Sequence, residues 1–249
     1  MWTRLVCVVA LAGCGRIGFD ARGDGGGVGD VVPDRDADRD GAVQQPPGLV
    51  AWFPLDDPSG TVARDATGNG NDATCTSCPT MAVSRTGGIA KHFDGTTQHY
   101  LRIAPTNLDF TSSYTVAAWV RPARDPAAYD MIMGRAFGGG TDDSYGLDVA
   151  SGLRAELYTT ASLYGTTSLT VGTWWHVAAT FDGTTTRVYV NGTLEGSAVA
   201  PPPSYDGQPL VLAGDTTAGS LNNPFGGDLA DLELFSRALS AGELSALAQ

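Results

Sequence analysis

Positive charge is what this chain is short of. Fifteen lysines and arginines stand against 27 aspartates and glutamates in 249 residues, a formal net charge of −12. Nucleic acid and anionic lipid headgroups are gripped through positive patches, so the deficit argues against both as partners. It leaves carboxylates free to hold divalent cations. Histidine is scarcer still: His92, His99 and His176 are scattered, and no Ser, His and Asp arrangement can be argued from their spacing. Long helical patterns are few, while 33 glycines and 14 prolines favour an all-β protein. The N-terminal apolar run, Leu5 to Ala12, is far short of the ~20 residues a spanning helix needs. What is present in quantity is a 42% hydrophobic fraction, enough for one core.

The N-terminus reads as an export signal. Met1 to Arg4 is a short positive region, Leu5 to Ala12 is apolar, and Leu11-Ala12-Gly13-Cys14 resembles the bacterial lipobox. The alternatives are an ordinary secretory signal or a buried helix. The resemblance implies that residues 1–13 are removed and that Cys14 carries a lipid anchor to the membrane. Gly15 after it, not Asp, implies the outer membrane. Residues 14–47 lack apolar periodicity and read as a disordered Gly/Asp/Pro-rich tether. Within it Arg22-Gly23-Asp24 is a triplet that such composition produces by chance. Asp36 to Gly41 copies half an EF-hand loop, but its twelfth position is Pro47, where a bidentate Glu is required.

From residue 48 the chain becomes strands. In Thr173 to Thr193, Trp175, Val177, Ala179 and Phe181 fall on one side and His176 and Thr180 on the other. Asp182-Gly183 and Asn191-Gly192 supply turns tolerant of positive φ, with Val188 and Val190 between them, so the stretch predicts two hairpins. Tyr114 to Arg121 carries apolar groups on both faces, as a central strand does. Ser240-Ala241-Gly242-Glu243 has capping-box spacing and starts one short C-terminal helix. Short strands at regular spacing predict a two-sheet antiparallel β-sandwich over residues 48–249.

Five phrases, LVAWFPLDDPSGTVARDATGNGND, HFDGTTQHYLRI, SYTVAAWVRP, TWWHVAATFDGTTTRVYVNG and GGDLADLELFSRALSAGEL, resemble in order the laminin G-like, concanavalin A-like jelly-roll family. The resemblance implies a jelly roll of about fourteen strands. It also implies a Ca2+ ion, held by oxygen ligands of the first turn-rich loop and the last strand. Asp65, Asn69, Asn71 and Asp72 sit in that loop, and Asp231 lies in the last strand. Where relatives read Ile-Asp-Glu, this chain has Leu229-Ala230-Asp231, so one acidic position is alanine.

Cys75 and Cys78 are expected to pair as a disulfide in an exported protein, since a redox pair wants a βαβ context and a zinc site wants two more ligands. For catalysis the fold's hydrolases need two carboxylates on one strand face. Alternation places Asp231 and Glu233 together and turns Asp228 away, so the Glu-x-Asp-x-x-Glu pattern is not met. Tyr145, Tyr158, Tyr164, Tyr205 and Phe225 lie near turn signals and are the aromatics expected at a ligand surface. The reading is a lipid-anchored, extracytoplasmic, non-catalytic module that binds carbohydrate or a protein surface. Its competitors are a glycoside hydrolase or polysaccharide lyase, and a structural envelope protein.

Overall fold

Strands with one apolar face bury it only by stacking sheet on sheet. The computed structural model describes residues 45–96, 98–104, 108–139, 142–217 and 219–249, which fall within one compact unit, Val43–Gln249. The lipobox with Cys14, the Arg22-Gly23-Asp24 triplet and the half EF-hand lie outside the described residues.

In chain order the described strands are β1 (Leu49–Phe53), β2 (Val62–Ala63), β3 (Ala73–Thr74), β4 (Thr80–Val83), β5 (Ile89–Asp94), β6 (Leu101–Ile103), β7 (Tyr114–Pro122), β8 (Tyr129–Phe137) and β9 (Asp142–Ala150). Then follow β10 (Arg154–Tyr158), β11 (Ser162–Ser168), β12 (Trp175–Phe181), β13 (Thr185–Val190), β14 (Thr193–Val199), β15 (Leu210–Leu212), β16 (Asp215–Thr217), β17 (Ser220–Asn222), β18 (Gly226–Phe235) and the helix α1 (Ala241–Leu247). One sheet runs β14-β13-β12-β7-β18-β5-β4, with β1 also on β18; the other runs β11-β10-β9-β8-β15-β6-β3-β2. β16 and β17 form a separate hairpin. The sandwich is all-β with one short C-terminal helix, and it is cut into more strands than expected because several have only two or three residues.

The predicted meander is β12, β13 and β14. Val177, Ala179 and Phe181 of β12 and Val188 and Val190 of β13 enter the core between the sheets. Tyr114, Val116, Ala118 and Val120 of β7 meet them from the neighbouring strand, each fully buried or nearly so. A side chain of this size contributes about 1.5–3 kcal/mol when fully buried. Ser240 caps α1, accepting from the Glu243 amide while the Glu243 carboxylate accepts from the Ser240 amide. Leu244 and Leu247 then cover Ala117, Ala178 and Tyr189 on the outer face of the first sheet. Gly192 is required twice there: its φ is +74°, and a Cβ would stand 2.5 Å from the Ser245 Cα.

Two details differ from the alternation in the sequence. β18 carries a bulge: Asp231 has φ +44° and the pairing with β7 shifts between Ala230 and Glu233. Leu229, Leu232 and Leu234 therefore share the core face. Asp228, Ala230 and Glu233 share the outer one, so Asp231 and Glu233 are not the facing pair expected and Asp228 does not point away from Glu233. The domain also reaches further back than residue 48, since the Gln45 side chain donates to Glu233 at 2.6 Å and Arg237 donates to the Pro47 carbonyl at 2.6 Å. Cys75 and Cys78 are joined as a disulfide with Cα atoms 5.1 Å apart.

Candidate functional site

The outer face of the second sheet is built from cross-strand rows. Strand pairing aligns Tyr129, Ala150 and Arg154 in one row, Met131, Asp148, Glu156 and Tyr164 in the next, and Gly134, Gly146, Tyr158 and Ser162 in a third. Tyr145, Leu147 and Val149 alternate with these positions and point into the core. Tyr129 is 43% exposed and Tyr164 39%, whereas Asp148 and Glu156 are buried beneath them at 1% and 3%. The Arg154 guanidinium lies over the Tyr164 ring, 4.6 Å from its centroid.

Two facing glycines leave this sheet bare at its middle, and two carboxyl groups occupy the space. A Cβ on Gly146 would stand 2.6 Å from Asp143 Oδ2, and one on Gly134 would stand 3.1 Å from Asp215 Oδ1. Asp143 is contributed by β9 and Asp215 by the β16–β17 hairpin, which packs against β8. Asp143 and Asp215 bond to each other, and Asp148 bonds to Glu156. Burial, then the neighbouring carboxyl group, pushes Asp143 and Asp148 well above the usual carboxylate range. Asp143 Oδ1, Asp148 Oδ1 and Asp215 Oδ1 are buried without a partner. At the rim Asp130 is paired, taking Arg124 through Nε at 3.0 Å and Nη2 at 2.8 Å.

On the outer face of the first sheet, charge is paired. Asp228 accepts from Arg121 Nε at 2.6 Å and contacts His92 Nδ1 at 2.7 Å. Arg121 lies over the Trp174 ring and Arg85 over Trp119. His176 packs edge-on against Trp119, and burial lowers it to about 4. Burial raises Glu233 to about 8, although the Gln45 amide donates to it.

The expected site residues are distributed as follows. Asp65, Asn69 and Asn71 are together, but as a knot of Asx turns. Asp65 accepts from the amides of Trp52, Thr67 and Asn71 and from the side chains of Thr67 and Asn71. The Asn69 and Asn71 amides both donate to the Val50 carbonyl at 3.0 Å. The Asp72 carboxylate takes the Asp65 amide at 2.8 Å. The Asp65 oxygens, Asp72 Oδ1 and the Val50 carbonyl are thus engaged within the loop itself. Asp231 lies at the bulge of β18, where its amide donates to Pro54. Among the described residues, no three of His, Cys, Asp or Glu are arranged to hold a metal ion.

Two expected ligand aromatics are core residues instead, and a third, Tyr205, is half-buried against the core. Tyr145 is fully buried with its hydroxyl donating to Leu108, Phe225 is 1% exposed, and Tyr205 locks the Phe110 backbone through both amide and carbonyl. Nearness to a turn says nothing about which face a side chain takes. Tyr158 and Tyr164 do lie on the outer face of the second sheet. The sequence reading passed over Tyr129, Asp143, Asp148, Glu156 and Asp215. The alternation of Ser144, Gly146 and Asp148 against Tyr145, Leu147 and Val149 carried the available signal.

A two-sheet antiparallel jelly roll with one helix on one outer face defines a concanavalin A-like domain. The chain belongs to the concanavalin A-like lectin/glucanases superfamily, whose Laminin G family model matches residues 94–245. No curated protein sequence matches it significantly. Among solved structures it is similar to domain 4 of AbnA, an extracellular arabinanase of Geobacillus stearothermophilus in complex with arabinotriose. The match has TM-score 0.62 and 20% identity, over 81% of this chain and 98% of that one. It is also similar to the binding domain of Paraclostridial Mosquitocidal Protein 1, with TM-score 0.64, 13% identity and coverage of 81% and 52%. Trypanosoma rangeli sialidase matches with TM-score 0.60, 18% identity and coverage of 81% and 32%. The chain thus spans nearly all of the arabinanase domain but only about half and about a third of the other two, and at these identities the likeness is one of fold.

Proposed function

We propose that this chain is a non-catalytic module that binds carbohydrate across the outer face of its second sheet, displayed outside the cytoplasm on a lipid carried by Cys14 at the outer membrane. The observation that carries the reading is the set of tyrosines, Tyr129, Tyr158 and Tyr164, standing around buried carboxyl groups on one sheet face. Sugar rings stack their CH faces on aromatic rings, and carboxylates accept from sugar hydroxyls. The arabinanase domain of similar fold, with arabinotriose bound, supports the same ligand class. A hydrolase is disfavoured by spacing. The carboxyl pairs here are in hydrogen-bond contact, whereas glycosidase pairs stand about 5 Å apart or more.

The test is a glycan-array screen of the purified protein followed by calorimetry on any oligosaccharide retained. Tyr164→Ala and Tyr129→Ala each weaken binding about tenfold, as loss of a stacking contact does. Binding that ignores both substitutions, or no glycan binding with capture of a protein ligand instead, overturns the carbohydrate reading. Metabolic labelling with palmitate, lost in Cys14→Ser, tests the anchor.

A further inference from the structure

We propose that the carbohydrate bound on the second sheet is an amino sugar with a free ammonium group, which sits on the carboxyl pair Asp148 and Glu156 between Tyr129, Tyr158 and Tyr164. The inference rests on the carbohydrate reading and adds to it the charge of the ligand.

This part of the face is rich in acceptors and short of donors. Asp148 on β9 and Glu156 on β10 stand opposite each other in the strand pairing and are hydrogen-bonded together. They are 1% and 3% exposed, and Asp148 Oδ1 is buried without a partner among the described residues. Tyr129 stands close enough to Asp148, and Tyr158 close enough to Glu156, for the carboxylate charge to act on each phenol. Across the next strand Glu156 is aligned with Tyr164, whose ring already carries a cation, the Arg154 guanidinium 4.6 Å from its centroid. Arg154 shares β10 with Glu156 yet lies on that ring. Among the described residues no arginine, lysine or histidine forms an ion pair with Asp148 or Glu156.

A site made of acceptors selects a group made of donors. An ammonium has three N–H donors and no acceptor, whereas a sugar hydroxyl brings an acceptor with its donor. Two acids in contact share one proton, because both cannot be ionised side by side, so the pair offers one negative charge to one ammonium. The hydrogen bonds formed are charge-assisted, and tyrosine faces add cation–π attraction. N-acetylation removes the charge, leaves one N–H and adds a carbonyl acceptor, which this site does not want. Tyr129 and Tyr164 are exposed, and exposed side chains change rotamer within nanoseconds, so the ammonium reaches the buried pair as they turn aside.

The experiment screens the full chain on an array of glucosamine, galactosamine and mannosamine oligomers, printed as free amines and again after N-acetylation, beside neutral oligosaccharides. Calorimetry on the retained sugars follows, in low and in high salt. The free amine is expected to bind on the order of tenfold more tightly than its N-acetylated counterpart. Most of that preference should persist in high salt, since a buried pair is screened far less than the overall charge of −12. Asp148→Asn with Glu156→Gln keeps the shape of the pair and binds both forms alike. Asp148→Asn alone lowers the preference in the same direction, so the test stands if the double variant does not fold. Neutral oligosaccharides bound with no preference for a free amine overturn the amino-sugar assignment and leave the carbohydrate reading in place, whereas retention of no glycan overturns both. A preference that survives the double substitution, or vanishes in high salt, is non-specific attraction to an acidic chain and overturns the site.

Discussion

On the outer face of the first sheet nearly every buried charge has an answering group. Asp228 lies between Arg121 and His92, Glu233 takes the Gln45 amide, and Trp119 and Trp174 each carry an arginine. On the outer face of the second sheet Asp143, Asp148, Glu156 and Asp215 meet one another and no cation, with the Thr216 amide on Asp215. The same strand alternation produces both surfaces. The first face leaves only uncharged polar atoms such as His176 Nδ1 and Thr180 Oγ1 unmet, whereas the second buries acid against acid and retains unmet carboxyl oxygens that a ligand can use. α1 sits on the first of these faces, and the exposed tyrosines stand on the second.

Substitutions on the two faces should therefore differ in sign. Trp119→Ala removes a large, 8% exposed side chain and is expected to cost about 3–5 kcal/mol in denaturant unfolding. Asp228→Ala, which strands Arg121 and His92, is expected to cost about 1–3 kcal/mol. Asp148→Asn goes the other way: in chelator at pH 8 it raises stability by on the order of 1 kcal/mol, and at pH 4 it changes nothing. A loss on Asp148→Asn comparable with that on Asp228→Ala would erase the contrast between the faces.

The pH profile sharpens it. Asp143, Asp148 and Glu233 bind their protons more tightly folded than unfolded, so their stabilisation is full below the unfolded values near 4. It is lost as pH rises toward 8, the raised value of Asp143 and Glu233. His176 acts in the opposite sense. Its folded value near 4 lies below the unfolded 6.5, so its contribution is present above 6.5 and lost as pH falls through 4. Unfolding free energy in chelator should decline on the alkaline side, with that decline reduced in Asp143→Asn. His176→Gln should remove only the smaller acid limb, by well under the alkaline change.

How much of this was legible follows from where the information sits. The β12–β13 hairpin was readable because period-two patterning and the Asp182-Gly183 and Asn191-Gly192 turns are local. The cap of α1 was readable for the same reason, from Ser240 and Glu243 three residues apart. The bulge at Asp231 was not, since it exists only through the register that β18 adopts against β7. The sheet-face site was hidden more deeply. Asp148 and Glu156 look like ordinary outward polar residues until β9 and β10 align them. Asp215 reaches Gly134 only because its hairpin packs against β8, some eighty residues earlier in the chain. Tyr145 shows the converse error: its neighbours Leu147 and Val149 marked an inward face, and a nearby turn outweighed them in the reading.

The most direct test of the contrast is a carboxyl-carbon NMR titration of the apo protein between pH 3 and 9, with Asp143 and Asp148 assigned by substitution to Asn. The account predicts that both remain protonated well above the pH at which exposed aspartates ionise. Titration of both near pH 4 would mean that this face carries ordinary solvated carboxylates and would contradict its assignment as the ligand surface.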